Sequence, residues 1–154
     1  MKTLQFYIIS TVLIFFNSCG IAQNNTFEKQ AENMLLEYYT KHFQVWGIPS
    51  LPSDVRYEKL DSLMQKYCTS KLINEAKEAF ENVGVDFLTN DLIGNLNENL
   101  KVERDTINEN DYIVSFVSDI ATYIDAPGEQ TKKQVTVYVT VIKEGDCYKI
   151  DSVR

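Results

Sequence analysis

The stretch Val135-Thr136-Val137-Tyr138-Val139-Thr140-Val141-Ile142-Lys143 decides the fold class, because its four valines recur at every second position and share one face of an extended chain. Thr136, Tyr138 and Thr140 take the other face, so this strand covers an apolar core on one side only, as strands of antiparallel sheets do. Downstream, a two-residue turn at Gly145-Asp146 returns the chain through Cys147 to Val153 and sets Val141 opposite Ile150, keeping apolar residues on the covered face. Upstream, Leu100 to Ile107 and Tyr112 to Ile120 read as two more strands, joined by the turn Asn108-Glu109-Asn110-Asp111. These short connections predict a four-strand antiparallel meander, with the polar loop Asp125 to Lys133 around Pro127-Gly128 as a hairpin connection.

The cover for the sheet lies ahead of it. Phe27, Ala31, Met34, Leu35, Tyr38, Tyr39, His42, Phe43 and Trp46 recur at steps of three and four and form one helical stripe, with Glu28, Lys29, Glu32, Glu37 and Lys41 opposite. Gly47, Pro49 and Pro52 end that helix and make a hinge, since Pro49 disfavours a helical backbone at Ile48. A second helix, with Ser53 or Asp54 as its cap, carries Leu60, Leu63, Met64 and Tyr67 to Cys68. Thr69-Ser70 caps a third, striped by Leu72, Ile73, Ala76, Ala79, Phe80 and Val83 and ended by Gly84. Val85 to Asn99 reads as an irregular connection in which Phe87, Leu88, Leu92 and Ile93 tuck onto the core while Asp86, Asn90 and Asp91 make local turns. The fold class is therefore α+β, three helices packed on one face of a curved antiparallel sheet of about four strands.

The chain opens with Lys2 followed by the apolar run Phe6 to Phe16 and then Asn17-Ser18-Cys19-Gly20, the layout of an export signal. Its apolar core is too short for a membrane span of about 20 residues. Ser18-Cys19-Gly20 directly after the run resembles a bacterial lipoprotein signal, in which Cys19 becomes the acylated first residue. Cleavage after Gly20-Ile21-Ala22 would instead release a soluble secreted or periplasmic protein beginning at Gln23. The missing polar spacer before the cysteine favours the lipoprotein, held in the bacterial cell envelope and facing the periplasm or exterior. Residues 1–22 thus form the signal and 23–154 one α+β domain, a common domain length.

Of the 15 basic and 22 acidic residues the signal removes only Lys2, which leaves a net charge near −8. Such a surface repels nucleic acid and anionic membranes, so membrane attachment would come from a lipid on Cys19 alone. Cys68 and Cys147 remain, an even number in an oxidising compartment. A disulfide between them would contribute about 4 kcal/mol in the chain-entropy model, yet the hairpin register turns Cys147 off the core face and leaves two unpaired thiols as the alternative.

The stretch Leu63-Met64-Gln65-Lys66-Tyr67-Cys68-Thr69-Ser70-Lys71-Leu72, with Asp86-Phe87-Leu88 ending at Asp91, the strand Tyr112-Ile113-Val114-Ser115-Phe116 and the closing Tyr148-Lys149-Ile150-Asp151, resembles the domain of unknown function 3828 family. The likeness runs from Phe27 to Val153. It implies an exported or lipidated bacterial protein with a nuclear transport factor 2-like, cystatin-like α+β cone, and supplies no catalytic residues.

In such a cone Tyr38, Tyr39, His42 and Trp46 would line the concave side of the sheet, where aromatic bodies with polar tips suit a partly apolar ligand or a protein partner. Core packing is the alternative for the same four. His42 is the only histidine, so neither a histidine metal cluster nor a serine triad can be built within one chain. Cys68 closes an apolar stripe and lacks an activating base on its own helix. Asp105, Glu109 and Asp111 around one turn lack the ligand order of known calcium loops. Asp119 and Asp151 alternate outward, which disfavours a ketosteroid-isomerase-like enzyme with a buried carboxylate base. The expectation is a non-catalytic envelope domain that binds a small ligand or an exported protein and carries no metal or cofactor.

Overall fold

The computed structural model describes the backbone of residues 19–83, 88, 98–121 and 130–154, and side chains over 27–82, 88, 99–117 and 132–154. Helix α1 spans Cys19–Trp46, α2 Ser53–Tyr67 and α3 Ser70–Val83; strands β1 Glu98–Arg104, β2 Asp111–Ala121, β3 Gln130–Glu144 and β4 Cys147–Val153 follow. The chain divides into two units, Met1–Gln30 and Ala31–Arg154. Of the first, only the opening turns of α1 are described; the second holds the remainder of α1 and every other element. The export run before Cys19, the side chains of Cys19 and Asp119, the Gly84 terminator, Pro127-Gly128 and all of the 85–97 connection except Leu88 lie outside the described residues. Among the described residues, no helix is long and apolar enough to cross a membrane.

Of the stripe its spacing predicts, helix α1 buries Ala31, Leu35, Tyr38, Tyr39, His42, Phe43 and Trp46, while Phe27 and Met34 are half-buried. Gly47 closes it, donating its N–H to Phe43 O at 2.8 Å, and a Cβ at that position would sit 3.2 Å from the same carbonyl, so the tight exit favours glycine. Arg56 then stitches the hinge, its Nη2 donating to Ile48 O at 2.8 Å and Leu51 O at 3.3 Å. The predicted cap of α2 is corrected here. Pro52, not Ser53 or Asp54, stands at the N-cap with no side-chain cap, because Ser53 already begins the helix and the Pro52 carbonyl takes the Arg56 N–H at 2.9 Å.

The sheet order is β1-β2-β3-β4, every pair antiparallel, and it does not close into a barrel. The hairpin at Gly145-Asp146 pairs Val141 with Ile150 and Glu144 with Cys147, and Gly145 supplies the positive φ of 62° that the turn needs. Tyr112, Val114 and Phe116 of β2 face the core with Val135, Val137, Val139 and Val141 of β3. One device escaped the alternation pattern. Pairing passes from Val141–Ile150 to Thr140–Ser152, so Asp151 is an extra residue in β4. This bulge carries Val153 back to the core face that Ile150 occupies, although the two are an odd number of positions apart. A second irregularity in β1, between Glu98 and Lys101, contains Asn99 at φ 57°, a left-handed conformation asparagine tolerates.

Two strand ends differ from expectation by three residues or more. β1 stops at Arg104 and not at Ile107, because Asp105 Oδ1 accepts the Ile107 N–H at 2.9 Å and turns the chain outward, leaving Ile107 exposed. β3 begins at Gln130, so residues read as loop already pair with β2.

Candidate functional site

The aromatic residues of α1 divide into two groups. Tyr38 and Tyr39 are fully buried, Tyr38 meeting Tyr39 edge-on with centroids 5.2 Å apart and Tyr67 at 5.7 Å. Tyr39 Oη donates to Leu88 O at 3.0 Å. Both belong to the continuous core that includes Val114, Phe116, Val137 and Val139, so they fill the sheet-facing side where a ligand pocket was expected. Neither lines the cleft that His42 and Trp46 border.

His42 and Trp46, one and two turns further along, border a different space. A cleft of about 300 Å³ lies among the three helices. α1 contributes His42 and Trp46, α2 contributes Tyr57, Leu60, Asp61 and Met64, α3 contributes Ala76, Lys77, Phe80 and Glu81, and Leu88 completes the lining. Trp46 Nε1–H donates to His42 Nε2 at 3.2 Å. The Arg56 guanidinium lies 5.3 Å from the Trp46 ring centroid. Tyr57 and Phe80 meet edge-on at 5.4 Å and join α2 to α3 beside the cleft, while Asp61 Oδ1 and Lys77 Nζ pair at 2.7 Å.

The turn that sets α3 against α2 is tied to the sheet. Thr69 N–H donates to Ile150 O at 2.9 Å, its hydroxyl donates to Asp151 Oδ1 at 3.1 Å, and its Oγ1 accepts the Leu72 N–H at 3.3 Å. The bulge residue Asp151 therefore holds the cap of α3, and Lys71 Nζ reaches its other carboxylate oxygen at 3.5 Å. Tyr57, Asp61, Lys77 and Glu81 were not singled out from sequence. Tyr57 stands three residues before Leu60 and extends the α2 stripe, while Phe80 already belongs to the α3 stripe, so both read as ordinary core.

Cys68 and Cys147 are free. Cys68 is buried and bridges to Ile150, and that burial pushes its thiol up to about 12. Cys147 is exposed three residues along β4 from Ile150, about 10 Å at strand spacing, beyond the roughly 7 Å that a disulfide spans. The bridge the cysteine count allowed is absent for this reason.

Among the described residues, no group of three or more metal-ligating side chains is placed to hold an ion. Around the β1–β2 turn Glu109 offers its carbonyl to Arg104 Nε at 3.0 Å. Asp111, grouped with Asp105 and Glu109 around this turn, is buried and accepts from Thr140 Oγ1 and Arg154 Nη2 at 2.7 Å each and from Asn108 Nδ2 at 3.1 Å. The Arg154 guanidinium, then the Thr140 hydroxyl, hold its carboxyl below the usual range.

No family model matches the chain, and no curated protein matches it. A crystal structure of a protein of unknown function from Bacteroides thetaiotaomicron is similar to it, with a TM-score of 0.69 and 24% identity over 87% of this chain and 95% of that one. At this identity the likeness concerns the arrangement of helices and strands alone.

Proposed function

We propose that this chain is an exported envelope lipoprotein whose single domain holds a small, largely apolar ligand in the cleft among its three helices. The observation that carries this is the cleft itself, about 300 Å³ and walled by Trp46, Tyr57, Leu60, Met64, Phe80 and Leu88, at the lower end of the volumes that small-molecule sites occupy. A binding role suits it better than catalysis, because Asp61 and Lys77 already neutralise each other at 2.7 Å. The anchor is Cys19, supported by Ser18-Cys19-Gly20 directly after the apolar run, and the resemblance to the domain of unknown function 3828 family agrees with export.

Native mass spectrometry of the protein extracted from its own envelope in mild detergent tests both parts. The expected chain starts at Cys19 with acyl mass and carries a small extra mass that denaturation removes. Ala76→Phe, which fills the cleft from α3, should arrive without that mass while melting cooperatively. A bare chain starting at Gln23 would refute the anchor. A small mass retained by the filled variant would place binding elsewhere, and a protein-sized addition would replace the ligand by a partner.

A further inference from the structure

Resting on that reading of the cleft, we infer that its ligand is an apolar molecule bearing one positive charge, a hydrophobic amine or quaternary ammonium compound. The polar part of the lining is His42, whose Nε2 is taken by Trp46, with Asp61, Lys77 and Glu81. Lys77 Nζ is spent on Asp61 at 2.7 Å, and among the described residues Glu81 has no ion-pair partner. Glu81 stands one turn beyond Lys77 on α3 and lines the same cleft, so the wall keeps one uncompensated carboxylate beside its apolar floor.

The rest of the wall favours the same sign. Trp46, Tyr57 and Phe80 offer aromatic rings, whose faces attract ammonium groups and whose bodies bury hydrocarbon. Trp46 already has a cation neighbour in Arg56, at 5.3 Å. That guanidinium donates to the hinge carbonyls of Ile48 and Leu51 and does not line the cleft. An anionic ligand would meet Glu81 at the wall and a chain whose net charge is −7, so it is disfavoured both locally and at long range.

Trp46 is the only tryptophan, which makes its fluorescence a reporter of this site. The full mature chain is titrated with three probes that share a 3-phenylpropyl body and end in trimethylammonium, hydroxyl or carboxylate. The ammonium probe should saturate at about fivefold lower concentration than the hydroxyl probe, with the carboxylate weakest. Its advantage should shrink as salt rises. Glu81→Gln should remove that advantage and leave the hydroxyl probe unchanged. Equal or tighter binding of the hydroxyl or carboxylate probe would overturn the charge assignment while the cleft stands as a site, and so would an ammonium preference that survives Glu81→Gln. Saturation by none of the three would overturn the cleft as a binding site and the charge assignment with it.

Discussion

Replacing Asp111 with alanine should destabilise the domain by about 3 kcal/mol at neutral pH, and about 1 kcal/mol of that loss should vanish by pH 3, one unit below the ordinary aspartate value. The carboxylate is buried at the start of β2, directly opposite Thr140 of β3, and accepts from Thr140, Arg154 and Asn108. A hydrogen bond to a charged group contributes about 1.5–3 kcal/mol, and the short Thr140 contact falls in that range. The Arg154 side chain is 54% exposed, so its pairing is screened and contributes under about 1 kcal/mol. The longer Asn108 bond adds roughly as much. For a domain of this size about 3 kcal/mol corresponds to a melting temperature roughly 10 °C lower. Because Arg154 and Thr140 hold the native carboxyl below its ordinary value, the unfolded chain binds protons more readily as pH falls. The stabilisation is therefore complete above the ordinary aspartate value of about 4 and is lost as pH falls from there through the lowered native value. Urea titrations followed by circular dichroism at pH 7 and pH 3 measure both effects. Asp111→Asn, which keeps an acceptor for Thr140 but no charge, should lie between wild type and Asp111→Ala. A difference below 1 kcal/mol at pH 7, or the same difference at both pH values, would refute the role given to this carboxylate.

Two further outcomes concern the joint between the helices and the sheet. Iodoacetamide at pH 8 should label Cys147 in the folded protein and reach Cys68 only on unfolding, as intact mass will show, because burial keeps the Cys68 thiol protonated; equal labelling rates or a bridged mass would contradict the free, buried Cys68. Thr69→Ala removes both the α3 cap and the hydroxyl bond to Asp151, so it should lower the unfolding free energy by about 1–2 kcal/mol. Thr69→Ser should restore most of it, and an alanine variant as stable as wild type would mean that the cap does not hold α3 to β4.

Side-chain periodicity alone dictates the local backbone geometry. Valines at every second position from Val135 to Val141 select a strand with one covered face, and steps of three and four from Ala31 to Trp46 select a helix with one buried stripe. Gly145-Asp146 determined the pairing of Val141 with Ile150, since a two-residue turn leaves one register that keeps apolar residues together. The tertiary structure decided what each stripe faces. Tyr39 and His42 lie on the same stripe, yet Tyr39 enters the core against the sheet and His42 borders the cleft, because their neighbours come from β2, α2 and α3, far along the chain. Tyr57 and Phe80 became walls of that cleft only once α2 and α3 had packed, since they stand 23 positions apart in the sequence with 5.4 Å between their ring centroids. The burial of Asp111 was illegible for the same reason: Thr140 and Arg154 stand 29 and 43 residues away, and periodicity carries no information about contacts at that separation. The bulge at Asp151 is a choice of pairing between two strands, so it has no signature in either strand alone.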